Sequence, residues 1–373
     1  MHSRKKPMSD RFVSRREKLL RVIKQAGVNA LLVSGETNVS WLTGFSGDST
    51  WLLLGPKVCV LVSDGRYETQ ISEECPGLDV VIRKPETKLH EAIAKVVQSA
   101  GIGCLGFESH LLTWAMAGDL QSVLPNVEFK PVAGKVEELR AVKDAEEIAK
   151  IRTAVDIAIR GFQVIRAMLT SEMTEVSVAH ELEQTMRRFG AAGTSFETIV
   201  AANDRAALAH YRPGREPIGD CSMLLIDWGA NLTGNYKSDL TRVLLFGKVT
   251  QKLAKVYQTV LEAQQRAIRS IRPGIKCEEV DKVAREYIRQ QGYGRRFGHG
   301  LGHGIGLDIH EMPRLAPNSQ TVLQPGMVVT VEPGIYLPRW GGVRIEDDIL
   351  VTRDGAEVLS QSLPKDMESM LVD

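Results

Sequence analysis

The chain has 373 residues, 47 basic and 46 acidic side chains and a net charge of +1, so no general field draws it to nucleic acid or an anionic membrane, and no apolar run is long enough to span a bilayer. The five cysteines, Cys59, Cys75, Cys104, Cys221 and Cys277, are scattered and never closely paired, which argues against a disulfide framework or a Cys-based zinc site and fits a reducing cytoplasm. The length exceeds one typical core and predicts two domains.

In the basic opening stretch, Phe12, Leu19, Val22 and Ile23 recur at helical spacing. That pattern predicts a short polar tail followed by an amphipathic helix, rather than a nucleic-acid arm or a transit peptide, and no apolar signal core precedes it. The runs "NALLVSG", "TWLLLG" and "VCVLVSDGRY" are rich in Leu and Val, close on Gly or Asp, and alternate with helical stretches such as 88–99. Residues 10–135 therefore read as a small α/β domain. A long helix follows, with an acidic first turn (Asp144, Glu146, Glu147) and with Ile148, Ile151, Val155, Ala158, Ile159 and Phe162 on one face. The second domain, 140–365, has helices at roughly 174–189, 251–271 and 277–291, and strands at "SMLLIDWGA", "DLTRVLLFG", "MVVTVEPGIYL" and "GVRIEDDILVT". The fold class is α/β (α+β).

Each of those four strands carries an acid where alternation asks for an apolar residue: Asp227, Asp239, Glu332 and Glu346. Any one of them alone reads as a strand-end carboxylate facing water. Acids converging from successive strands repel one another unless divalent cations neutralise them. Between the second and third strands lies "FGHGLGHGIGLDIHE", with His299, His303 and His310 and a glycine at every second position from Gly298 to Gly306. Those glycines rule out a helix and permit close backbone approach. The zinc-protease helix motif is absent, because Met-Pro-Arg follows Glu311. At most one of these histidines need be a ligand, and His303, with glycine on both sides, is the most accessible. Four carboxylates and one imidazole form a hard donor set that favours manganese or another divalent ion, with cobalt and zinc equally open. Thr241 shares a strand face with Asp239, and Arg344 shares one with Glu346, so each can orient a ligand; a surface salt bridge is the plainer role for Arg344. Tyr336, four residues after Glu332, is a further hydrogen-bond donor.

"IDWGANLTGNYKSDLTRV", "GHGLGHGIGLDIHE", "TVEPGIYL" and "GGVRIEDDILV", in that order, resemble the metal-binding motifs of the pita-bread metallopeptidases, most of all aminopeptidase P and prolidase. "NVSWLTGFSGDSTWLLL" and "DGRYETQ" resemble the creatinase-type N-terminal domain of that family. The resemblance implies a pita-bread catalytic domain holding two divalent metal ions, with a metal-bridging hydroxide attacking the Xaa-Pro peptide bond. By the same resemblance Asp227 matches the bidentate ligand of one metal, Asp239 and Glu346 the bridging carboxylates, and His303 and Glu332 the ligands of the second metal. His210 and His310 match active-site histidines that are not ligands, and His299 one that lines the substrate pocket. Among these, His210, His310 and Glu332 are the expected catalytic residues. Short proline-containing peptides with a free N-terminus and a homodimer are implied as well. An Xaa-Pro amide has no N–H, so a dedicated pocket is required. Two departures stand out: the spacing from Asp227 to Asp239 is one residue longer than the common pattern, which suggests a different turn around Gly234-Asn235, and Ala209 stands where proline is common. A metal-free, creatinase-like hydrolase, another amide hydrolase, or a non-catalytic binding relative are the alternatives, although no ligand position is lost.

Overall fold

In the computed structural model, which describes residues 10–372, the chain divides into two compact units with the break between Arg140 and Ala141. The first begins with the helix Asp10–Ala26, which buries Leu19 and Ile23 as the helical spacing requires. The polar tail expected before it, residues 1–9, lies outside the described residues. Six strands follow: β1 (Ala30–Val33), β2 (Trp51–Gly55), β3 (Val58–Asp64), β4 (Asp79–Arg83), β5 (Cys104–Phe107) and β6 (Glu128–Pro131). They form one mixed sheet in the order β4-β3-β2-β1-β5-β6, and its central strand β1 is buried at every residue. Leu32, Leu53, Val62 and Leu105 of the sheet pack with Ile93, Val97 and Leu120 of the covering helices. This unit is held by its own core, as an independently packed domain requires. All five cysteines are free thiols, and no helix among the described residues is long and apolar enough to cross a membrane.

The second unit opens with the long helix Ala145–Met168, capped where its acidic turn predicts. The Asp144 side chain accepts from the Glu147 N–H, and the Glu147 side chain accepts from the Asp144 N–H. Such a reciprocal cap stabilises a helix by about 1 kcal/mol. Its strands are β7 (Gly193–Thr194), β8 (Ile199–Ala202), β9 (Met223–Trp228), β10 (Ala230–Asn231), β11 (Leu240–Phe246), β12 (Gly302–Gly304), β13 (Glu311–Leu315), β14 (Val328–Val331), β15 (Gly334–Leu337), β16 (Gly341–Arg344), β17 (Asp347–Val351), β18 (Ala356–Val358) and β19 (Leu371–Val372). The two larger sheets run β19-β11-β9-β8 and β13-β12-β14-β17-β18, and β15 pairs with β16 apart from both. On β9, alternation separates two neighbours. Trp228 stacks on Phe162 at 4.5 Å and its indole N–H donates to Ala158 O, while Asp227 takes the opposite face.

The stretch "VRIED" does not run as a single strand. Arg344 ends β16 and Asp347 begins β17, so the chain leaves one sheet and enters another at Ile345-Glu346. A bridge from Thr241 to Glu346 and the fully buried guanidinium of Arg242 hold this crossing. Arg242 donates to the carbonyl of Glu346 at 2.6 Å and to the Asp347 carboxylate at 2.7 Å. Lys365 and Ser360 also donate to Asp347, and with Arg242 they hold its carboxyl down at about 2 against the cost of burial. Removing one partner of such a buried pair costs about 3–5 kcal/mol, because the other charge is left unmatched.

Candidate metal centre

The second unit encloses a cavity of about 520 Å³ lined by Asp227, Asp239, His303, Glu332 and Glu346 among others. Each arrives by a different element. Asp227 lies near the end of β9, Asp239 immediately precedes β11, His303 is the middle of β12, Glu332 follows β14, and Glu346 sits at the crossing from β16 to β17. The glycines beside His303 explain how β12 fits there. A Cβ on Gly302 would lie 2.0 Å from the carbonyl oxygen of Thr330, and one on Gly304 would lie 2.2 Å from that of Met312. Only glycine lets β12 lie this close to its neighbours.

His303 is buried, and burial pushes its imidazole down to about 4, so the ring is neutral near pH 7. Its Nδ1 lies 3.0 Å from the carbonyl of Gly304, which makes Nδ1 the N–H donor. The Nε2 lone pair then faces Asp239 Oδ2 at 3.6 Å and Glu332 Oε1 at 3.4 Å. Ligand atoms of Asp239, His303 and Glu346 all lie within 4.8 Å of one another. Burial raises the carboxyls of Asp239 and Glu346, and repulsion from the neighbouring acids raises them further. Glu332 rises to about 8 through burial and Asp227, against the pull of Arg344. Asp227 Oδ1 and Glu346 Oε1 are buried with no hydrogen-bond partner among the described residues. Crowded carboxylates, two unpartnered oxygens and a neutral imidazole with its lone pair turned inward form a donor set that fits divalent cations.

The supporting contacts differ from those the strand faces suggest. Thr241 donates to Glu346 Oε2 at 2.6 Å rather than to Asp239, whose own N–H donates to Asp348 Oδ2 at 3.0 Å. Arg344 is buried, not a surface ion pair, and its guanidinium grips Asp227 Oδ2, Thr241 Oγ1 at 3.1 Å and Tyr336 Oη at 2.7 Å. His299 Nε2 lies 3.0 Å from the same Tyr336 hydroxyl, so His299, Tyr336 and Arg344 form one chain ending on Asp227. Burial also lowers the His299 imidazole, to about 4. The His310 ring stands edge-on to His303 with centroids 4.4 Å apart, and burial followed by Arg314 lowers it. His210 lines the cavity and is exposed. The turn between β10 and β11 places Gly234 and Asn235 at φ values of +89° and +66°, the left-handed region where glycine and asparagine are at home.

Sequence reasoning missed two further groups. Arg314, cross-strand partner of His303, lines the cavity with no carboxylate partner among the described residues. Its one signal was a polar residue between two apolar ones in "MPRL". Asp348 is fully buried, and only its bond from the Asp239 N–H reveals why.

Residues 149–353 match the model of metallopeptidase family M24, and residues 15–142 match the creatinase/prolidase N-terminal domain. The chain belongs to metallopeptidase family M24. The M24 match thus covers the two larger sheets except their edge strands β18 and β19, in the pita-bread arrangement, and the six-stranded unit is the creatinase-type domain. Across 350 residues the chain is 35% identical to the Xaa-Pro dipeptidase of Pyrococcus furiosus, covering 93% of this chain and 98% of that protein. Its fold is similar to that of an Xaa-Pro dipeptidase from Bacillus anthracis, with a TM-score of 0.91 at 39% identity over 95% of this chain and 99% of the other. The X-Pro aminopeptidase of Thermotoga maritima gives a TM-score of 0.85 at 34% identity, over 94% and 99% of the two chains.

Proposed function

We infer that this M24 chain is a divalent-metal-dependent exopeptidase that hydrolyses the Xaa-Pro bond of short peptides. The observation that carries the reading is the cluster of four carboxylates and one neutral imidazole in a single cavity, two of its oxygens without a hydrogen-bond partner among the described residues. In this reading Asp227, Asp239, His303, Glu332 and Glu346 hold two cations, with manganese the expected metal. The cations supply positive charge that activates water and stabilises the oxyanion. The chain's own groups do the rest. Thr241 and Arg344 hold Glu346 and Asp227 in place. Glu332, steadied by the Thr330 hydroxyl at 3.2 Å, takes a proton from the attacking water and passes it to the proline nitrogen, which must be protonated to leave. His210 and His310 donate to the substrate carbonyl, while Tyr336 is kept in place by His299 and Arg344.

The guanidinium of Arg314, without a carboxylate partner among the described residues, favours a dipeptide, whose C-terminal carboxylate it would receive. A reducing cytoplasm suits the five free thiols, and the homodimer belongs to the same reading through the family resemblance. The test is incubation of metal-loaded protein with Xaa-Pro, Xaa-Pro-Yaa and proline-free dipeptides, followed by product analysis. Release of proline from Xaa-Pro is expected. Cleavage only of proline-free peptides, or of none, refutes it.

A further inference from the structure

The loop that carries His210 is tied to one buried carboxylate. Glu175 opens the helix Glu175–Arg188 and has no exposed surface. Its Oε1 accepts hydrogen bonds from the Ala202 N–H at 2.8 Å and from Arg205 Nε at 2.7 Å. Its Oε2 accepts from the Tyr211 hydroxyl at 2.9 Å and from the Gly214 N–H at 3.0 Å. One side chain therefore holds both ends of the segment 202–214. The fit is close, because a Cβ on Gly214 would meet Tyr211 Oη at 2.9 Å and Glu175 Oε2 at 3.2 Å.

His210, by contrast, is exposed in the cavity and makes no hydrogen bond among the described residues. Its position depends on the backbone that carries it. The neighbouring surface pair, Arg212 with Glu197 at 3.3 Å, has both side chains largely in water and contributes little. Glu175 has four satisfied bonds, one of them to a cation, and breaking them would strand a charge away from water. The Val176 N–H also donates to the Gly214 carbonyl at 3.0 Å, but among the described residues it is the Glu175 side chain that joins Gly214 to Ala202, Arg205 and Tyr211.

We propose that Glu175 is the positioning residue of the active-site loop, setting His210 toward the reacting bond through the hydrogen bonds it accepts from Ala202, Arg205, Tyr211 and Gly214. The proposal rests on the reading of His210 as an active-site donor.

The test compares Glu175→Gln, Tyr211→Phe, His210→Ala and the double variant Glu175→Gln/His210→Ala as metal-loaded full chains. A glutamine offers one acceptor where the carboxylate offers two, so the loop loosens. Glu175→Gln should lower kcat on the order of tenfold to a hundredfold, the effect of misplacing a reacting group by about an ångström, with KM moving far less and bound metal unchanged. Trypsin should cut faster after Arg205 or Arg215. Tyr211→Phe removes one bond of the four and should shift each readout the same way by less; it carries the comparison if Glu175→Gln fails to fold. The double variant should be no slower than His210→Ala alone. Wild-type kcat in Glu175→Gln, metal loss in step with activity, or equal slowing of both backgrounds overturns the proposal. Full activity in His210→Ala sinks the reading of His210 and with it the catalytic part; unchanged trypsin cleavage in Glu175→Gln sinks the anchoring itself.

Discussion

Metal-free protein should lose stability as pH rises from about 6.5 to about 8, and divalent cations should restore it most at the upper end. The cause is the set of carboxyls held above their ordinary range: Glu332 at about 8 against a usual 4.5, with Asp239 and Glu346 displaced the same way. For these carboxyls the folded state binds more protons than the unfolded state, so their contribution is fully present below the unfolded value and is lost as pH climbs through the folded one; the imidazoles of His299 and His303, held at about 4, act oppositely below their usual 6.5, so the net fall is steepest above that. For Glu332 alone the shift of some three to four units, at ~1.4 kcal/mol each, sets a ceiling on the order of 5 kcal/mol. Its side chain is 17% exposed, so water screens part of this, leaving roughly 2–4 kcal/mol. In a unit of this size each kcal/mol moves Tm by about 2–4 °C, which makes the expected fall roughly 5–15 °C. A cation at a hundred times its Kd adds about 2.7 kcal/mol, and proton competition shrinks that gain at pH 5. Scanning calorimetry of chelator-treated and manganese-loaded protein at several pH values measures this, with Glu332→Gln as the control whose slope should flatten. A metal-free Tm that climbs between pH 6.5 and 8, or a cation effect as large at pH 5 as at pH 8, would refute the reasoning.

His303→Ala should lose metal affinity, whereas His310→Ala should keep its metal and lose turnover; titration followed by elemental analysis separates them, and equal metal loss would mean the two rings are wrongly sorted. Asp239→Asn and Glu346→Gln should each abolish activity, since each ligand is expected to serve both cations; full turnover in either removes the dinuclear reading. Arg314→Ala should raise KM for Xaa-Pro about tenfold or more and leave an amidated Xaa-Pro nearly unaffected, because only the former presents a carboxylate. Thr241→Val keeps the shape but removes the donor to Glu346 and the acceptor for Arg344, and should lower thermal stability of the metal-free protein by about 1–3 kcal/mol, read from urea unfolding.

How much of this was legible without coordinates follows from the range of the forces involved. Helices such as Gln251–Ser270 and Cys277–Gln290 lie close to where periodicity predicts them, because an amphipathic stripe is written locally. The acids Asp227, Asp239, Glu332 and Glu346 were visible as anomalies within apolar strands, and the alternating glycines excluded a helix at His303 without any structure. Which oxygen meets which donor was beyond reach. Thr241 meets Glu346 across 105 positions, Arg344 meets Asp227 across 117, and Glu175 meets Tyr211 across 36. The break of "VRIED" into two strands follows from the pairing of β15 with β16 and of β14 with β17, and no residue within that stretch announces it. Residue type and local period thus determined which groups were available, because backbone geometry and the cost of burying a charge act at each position alone. Tertiary structure decided their partners, because a hydrogen bond a few ångströms long depends on where separate sheets bring the chain together.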